Sequence, residues 1–384
     1  MRGLFYYRTH FDDPQNVGVV QKCRNVAAAF QTYDCRADTV FFSQNGLLLN
    51  ERSWHRWPIR TPKGSLRHAL LFFLFADFLL LRKLDFADYQ FILIRQMPTH
   101  PSFILFLRYL RRNHPQLKII LDFPTWPYDR ELGTGLQGRF LLWLDHCCRH
   151  RLQYYADLAL HIGAEISIWG IPTLQVANGI QAEDFLLKAP IVTSKQSLAL
   201  VFVGSVAHWH GLDRVLAGLI EYYAGKTDRV AEVSLTIIGQ GEASEGLQQM
   251  AQQGGVKAYV NFVGPQDAQQ IQGYYQKADL AVGSLALHRI GLTQGTPLKH
   301  REYCAAGLPF VFAGHDADFG PGFPYALQIS DDDTPLNIIL LLHFYQKVAQ
   351  ERDFQVQMQV FARQKLSWTV KVRPIIAYLR HVLR

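Results

Sequence analysis

The sequence predicts a doubly wound α/β architecture, repeated in two similar domains. Short β-branched or apolar runs alternate with longer amphipathic stretches, the pattern of parallel strands joined by crossover helices. The length of 384 residues suits two domains, each large enough for its own core. A short echo links the halves: YYADLALHIG (154–163) and YYQKADLAVGS (274–284) both leave a helix through Tyr-Tyr and enter a strand through Ala-Asp-Leu-Ala.

In the first half the periodicity places strands at 3–8, 38–43, 89–95, 117–122, 157–162 and 173–177, and helices near 17–31, 66–83, 102–112 and 136–155. The run Ala69–Leu81 is too short for the ~20 residues of a membrane span and contains Asp77. It reads as a buried helix, or as one lying in a membrane interface, since Arg67, Arg82 and Lys83 flank it. In the second half the strands are 198–204, 234–239, 259–264, 278–284 and 308–313, with helices at 212–223, 243–253, 267–277 and 297–306. Helices follow from about 336. The turn signal Asn178-Gly179 precedes a lapse in periodicity at 186–197, which puts the boundary near 195 and the domains at 1–190 and 195–366. The last helix, 367–384, is expected to pack back on the first domain.

Apolar residues make up 49% of the chain and charged residues 18%, which excludes disordered, collagen-like and polytopic membrane classes. The five cysteines are odd in number and lack CxxC spacing, so no zinc site is expected and a reducing compartment is. No apolar leader opens the chain, and a cytoplasmic location follows as an expectation. The net charge of +7 is uneven: residues 1–190 hold 22 Lys and Arg against 16 Asp and Glu, and the remainder is nearly balanced. The cluster Arg108, Arg111 and Arg112 suits an acidic substrate, a peripheral contact with anionic lipid at the inner membrane face, or plain solvation. No nucleic-acid-binding pattern accompanies the charge, so nucleic acid is not an expected partner.

The most informative stretch is Gln294-Gly-Thr-Pro-Leu-Lys-His-Arg-Glu302-Tyr-Cys-Ala-Ala-Gly-Leu-Pro309. Thr296 reads as an N-cap, Pro297 as the first helical residue and Gly307 as a left-handed C-cap. Lys299 places a cation in the first turn, where the helix dipole prefers an anion. Free N–H groups with that lysine would suit a phosphate or diphosphate, and Glu302 would accept from sugar hydroxyls. The bland alternative is a surface ion pair between the two.

The run Glu302-Tyr-Cys-Ala-Ala-Gly-Leu-Pro309 resembles the signature of family 4 retaining glycosyltransferases of the GT-B fold. Asn178-Gly179-Ile180 matches their turn before the linker. Val203-Gly204 followed by Gly211-Leu-Asp-Arg sits where they place a phosphate-binding loop. Asp122-Phe-Pro-Thr-Trp-Pro-Tyr-Asp-Arg-Glu131 is similar to a segment of exopolysaccharide and capsule members. The resemblance covers 155–315 well and the first domain in outline. It implies two Rossmann-like domains facing a central cleft, a nucleotide-diphosphate sugar as donor substrate with no further cofactor or metal, and a polysaccharide or lipid-linked glycan acceptor. It further implies front-face transfer with retention, in which the leaving phosphate helps deprotonate the acceptor.

Two departures stand out. The first of the family's two glutamates is Gln294 here, and its two loop cations are Ser205 and His210. In Gly204-Ser-Val-Ala-His-Trp-His-Gly211, protonated His208 and His210 would partly replace the lost charge, with Lys299 and Arg289 supplying the rest. A metal on the two histidines lacks completing ligands. The expected donor contacts are therefore Gly204, Ser205, His208, His210, Gly241, Val263, Gln294, Thr296, Lys299 and Glu302. Arg289, Lys299 and Glu302 stand nearest the chemistry, while Gly18 and Glu131 belong to the acceptor side. The rivals are a silent nucleotide-sugar or glycan-binding subunit of the same fold and a nucleotide-sugar epimerase.

Overall fold

A computed structural model describes residues 1–13, 16–56, 77–96, 98–129, 136–189, 197–225, 230–320 and 322–383. Two compact units divide the chain: Met1–Ala177 with Lys371–Arg384, and Asn178–Val370.

The first unit is built on a nine-stranded sheet. Strands β1 (Arg2–His10), β2 (Arg36–Ser43), β5 (Phe91–Arg95), β6 (Lys118–Asp122), β7 (Leu158–His161) and β9 (Ile171–Gln175) form its parallel centre, in the order β2-β1-β5-β6-β7-β9. Helices on both faces bury these strands, so they read as apolar runs, and β1 is buried from Gly3 to Arg8 and on to Thr9. Three antiparallel edge strands were not expected: β3 (Gly46–Leu49), β4 (Arg52–Arg56) and β8 (Ser167–Ile168). Their signals are turn signals. Asn45-Gly46 closes β2 on β3, and Asn50 and Glu51 both hold positive φ between β3 and β4, as a type I′ hairpin requires. Val17–Gln31 and Pro101–Asn113 are helical as expected, while the stretch predicted as one helix over 136–155 is an α-helix only to Cys148 and a 3₁₀ segment from Arg149 to Tyr154. Of the predicted helix 66–83, residues 77–83 are helical and the rest lies outside the described residues. Asp77 is buried there, accepting a hydrogen bond from the Tyr6 hydroxyl at 2.7 Å.

The second unit is a six-stranded all-parallel sheet in the order β12-β11-β10-β13-β14-β15. Its members are β10 (Ser197–Val203), β11 (Glu232–Ile238), β12 (Val260–Gly264), β13 (Leu280–Val282), β14 (Phe310–Ala313) and β15 (Ala326–Ile329). This is the Rossmann order, and helices Leu212–Ala224, Ser244–Gln253, Ala268–Lys277 and Leu298–Ala306 lie close to their predicted spans. β15 was not expected; none of its four residues is fully buried, so its pattern is weak.

The division falls at 177/178 rather than near 195. Residues 178–189 carry little periodicity because they run as a strap on the second unit, where Lys188 N donates to Ala306 O at 2.8 Å and its Nζ to Gln276 O at 2.8 Å. Residues 190–196 of the predicted linker lie outside the described residues. The C-terminal helix Trp368–Val382 contributes its later part to the first unit, where Arg373 and Arg380 bond Tyr33. Among the described residues no helix is long and apolar enough to cross a membrane, and all five cysteines are free.

Candidate functional site

The order of the second sheet reverses between β10 and β13, and an open α/β sheet leaves its ligand crevice at the carboxyl ends of the strands at such a point. Glycines follow both β10 and β11 there. Gly204 has φ +140 and Gly239 φ +127, and a Cβ on Gly239 would stand 2.0 Å from the Gly204 carbonyl oxygen. Gly241 fits equally closely, its missing Cβ 2.4 Å from Val206 O, and Val206 N donates to Gln240 O at 3.2 Å. The two loops are laced by backbone contacts that side chains would prevent.

Lys299 reaches this crossing from the first turn of Leu298–Ala306. Its ammonium lies 3.9 Å from the centre of the Phe202 ring and 3.4 Å from His210 Nδ1, and a Cβ on Gly204 would come within 3.1 Å of it. The side chain is 9% exposed. Burial pushes its pKa down to about 7, against the pull of Glu302. Glu302 is half-buried; burial pushes its carboxyl up, and the Tyr275 hydroxyl, donating to Oε2 at 3.1 Å, counters this. Among the described residues the two form no ion pair, so the surface-pair alternative does not hold.

The helix start is open. Pro297 is its N-cap and supplies no side-chain bond, and the amides of Leu298 and Lys299 have no partner among the described residues. Thr296 is therefore not the cap. Its hydroxyl accepts from Asn178 N at 3.1 Å, and Asn178 Nδ2 donates to Thr296 O at 2.7 Å, which ties the Asn178-Gly179 turn to the helix entrance. Gly179 is required because a Cβ would meet Trp368 at 2.8 Å.

The supplementary cations are not free. Arg289 is bound on both edges by Asp213 (2.8 and 2.9 Å), by Asp333 and by the His208 carbonyl at 2.7 Å. It clamps the loop to helix Leu212–Ala224 and has no charge to spare for a diphosphate. His210 is buried, and desolvation with Lys299 beside it pushes its pKa well below the imidazole range, so it is neutral. Its Nδ1 lies 3.1 Å from Ser284 Oγ. His208 is exposed and its Nδ1 is 2.8 Å from Glu242 Oε1.

The remaining expected residues are scattered. Ser205 is exposed beside Gly204, and Val263 is half-buried at the end of β12. Gln294 sits in a short bridge with His315 after β14. Gly18 lies in the first turn of Val17–Gln31 in the first unit, with open space where a Cβ would be, and Glu131 is outside the described residues. Phe202, Tyr275 and Ser284 were missed. Tyr275 had a signal in the Tyr-Tyr echo; Phe202 and Ser284 looked like ordinary strand residues. Beneath them, Asp316 accepts from Arg301 and sits 3.0 Å from His300 Nδ1, a buried network that fixes the helix. No group of three or more His, Cys, Asp or Glu among the described residues could hold a metal.

Residues 197–321 match the family model described as Glycosyl transferases group 1. A search of curated proteins finds no match. Among solved structures, the chain is similar to sucrose-phosphate synthase from Thermosynechococcus elongatus, at TM-score 0.65 and 13% identity over 100% of this chain and 99% of that one. It is similar to the catalytic domain of starch synthase IV from Arabidopsis thaliana bound to ADP and acarbose, at 0.66 and 10% over 100% and 99%. A third is Anabaena HepE in complex with UDP, at 0.62 and 11% over 99% and 100%. The crevice at the β10/β13 reversal thus lies within the residues that match the group 1 glycosyltransferase model, in a chain whose fold is GT-B.

Proposed function

We propose that the chain transfers a sugar with retention from a nucleotide diphosphate to a polysaccharide or lipid-linked glycan acceptor, the second unit holding the nucleotide. The observation that carries this reading is the buried Lys299 ammonium, set between the open start of Leu298–Ala306 and the glycine crossing of β10 and β11. A diphosphate there would meet the free amides of Leu298 and Lys299, the helix dipole and one cation. Glu302 would accept from a sugar hydroxyl of the nucleotide. These groups favour the charge that grows on the departing diphosphate, and the rate would come from that and from positioning. The anomeric carbon–oxygen bond breaks on the face where the acceptor oxygen bonds, and the acceptor proton passes to the leaving phosphate. HepE in complex with UDP and starch synthase IV bound to ADP support a nucleoside diphosphate as the first probe.

The test is incubation of the full chain with UDP-, GDP-, ADP- and dTDP-sugars, with and without a lipid-linked oligosaccharide. Acceptor-dependent release of the nucleoside diphosphate, with the anomeric configuration kept in the product, supports the reading. One observation favours a silent binding subunit: with Arg289 consumed by carboxylates, Lys299 is the one cation left for the diphosphate among the described residues of the crevice. Tight nucleotide binding without turnover of any acceptor would establish that reading. Conversion of the sugar with no acceptor present would point to an epimerase.

A further inference from the structure

Helix Leu136–Cys148 in the first unit is built unlike its neighbours. Its central run Phe140-Leu-Leu-Trp-Leu144 is apolar throughout, yet none of the five residues is fully buried. Phe140 and Trp143 are 59% and 60% exposed, with their rings stacked at 5.9 Å. The helix is tied down farther along, where Asp145 is completely buried and accepts from Thr99 N at 2.6 Å and from the Tyr128 hydroxyl. Thr99 lies just beyond the end of β5, so that anchor is at the carboxyl edge of the sheet, and the aromatic half precedes it.

The crossovers β5 to β6 and β6 to β7 run in the same direction along the sheet, which puts helices Pro101–Asn113 and Leu136–Cys148 on one face. The outward stripe of the first carries Arg108, Tyr109 and Arg112, all exposed, and the second exposes Arg139. Neither helix has an exposed carboxylate: the first contains no acidic residue and the second only Asp145. Nearby Asp129 is already paired with His146 and Arg149.

We propose that this face docks on an anionic bilayer, with Phe140 and Trp143 entering the headgroup–acyl boundary and Arg108, Arg112 and Arg139 meeting lipid phosphates. Aromatic side chains favour that depth, and arginines flanking an apolar ridge match a negative surface in sign. The proposal deepens the lipid-linked form of the acceptor and rests on that reading for its purpose. Binding to lipid is measured without donor, so either can fail alone.

The full chain is sedimented with vesicles of phosphatidylcholine alone or with about 30% phosphatidylglycerol, at about 0.1 M and about 0.5 M salt. The expected result is binding to the anionic vesicles that weakens at high salt. Replacing Arg108, Arg112 and Arg139 by Gln lowers the partition coefficient by about a hundredfold, at roughly fivefold per arginine. Phe140→Ser with Trp143→Ser lowers it by about tenfold or more. Brominated-chain lipid quenches the tryptophan emission of the parent chain and much less that of Trp143→Phe, with melting temperatures unchanged. Absence of binding to the anionic vesicles, or equal binding by every variant, overturns the proposal. So does lipid-free self-association that the serine variants abolish, which would assign the face to a second copy of the chain.

Discussion

Lys299 is a buried cation in the second unit's crevice, and its burial costs stability. A lysine whose pKa falls from the ordinary 10.5 to about 7 destabilises the folded chain below about pH 7, and the cost disappears as pH rises toward 10.5, because the unfolded chain holds the proton longer. Lys299→Met should therefore raise the melting temperature most at pH 6 to 7 and progressively less toward pH 10, read by calorimetry across that range. A flat difference would mean that the ammonium is not desolvated. Bound diphosphate favours the charged lysine, so nucleotide affinity should fall above pH 7 by up to about tenfold per pH unit. Glu302→Gln keeps an acceptor for the Tyr275 hydroxyl while removing the carboxylate that holds Lys299's proton. Turnover should drop by about tenfold or more, the loss of one charged hydrogen bond, and the melting temperature should stay nearly constant. Unchanged turnover would remove Glu302 from the nucleotide's surroundings. At this scale the sequence was informative about residue type and misleading about availability. Lys299 drew attention because it breaks a local rule of helix composition, a cation in the first turn. Arg289 and His210 were taken as free cations because nothing in one dimension shows Asp213 and Asp333 closing on a guanidinium, or burial stripping an imidazole of its proton.

The loops at the ends of β10 and β11 behave as one element. Gly239→Ala would set a methyl group against the Gly204 carbonyl at a backbone angle that L residues rarely adopt. The expected loss is about 2 kcal/mol or more in chemical denaturation, together with weaker nucleotide binding. Gly246→Ala, in the exposed helix Ser244–Gln253 with open space at its Cβ, should instead stabilise by about 0.5–1 kcal/mol. Equal effects at the two positions would refute the idea that close approach, rather than loop flexibility, selects the glycines. The central parallel strands were legible because burial on both faces makes them apolar runs. The strands β3, β4, β8 and β15 are short; turn chemistry is the signal for the first three, and β15 has only a weak pattern. The strap 178–189 was misplaced for a related reason: apart from the Lys188 ammonium, its bonds to Gln276 and Ala306 are made by its backbone, which leaves no periodicity.

For the whole molecule, two Rossmann-type sheets divide the chain, and residues from Lys371 onward return to the first unit. Composition and rhythm announced the pair of domains; the position of the division depended on which unit the strap's hydrogen bonds join. What the molecule does depends on whether the reversal between β10 and β13 is a diphosphate site. The most direct measurement is the affinity of the full chain and of Lys299→Ala for UDP and for uridine, by calorimetry at pH 6.5. UDP should lose about 1.5–3 kcal/mol in the variant while uridine binding is unchanged. Equal losses for both ligands, or none for UDP, would contradict the assignment of Lys299 to the diphosphate and with it the proposed transfer.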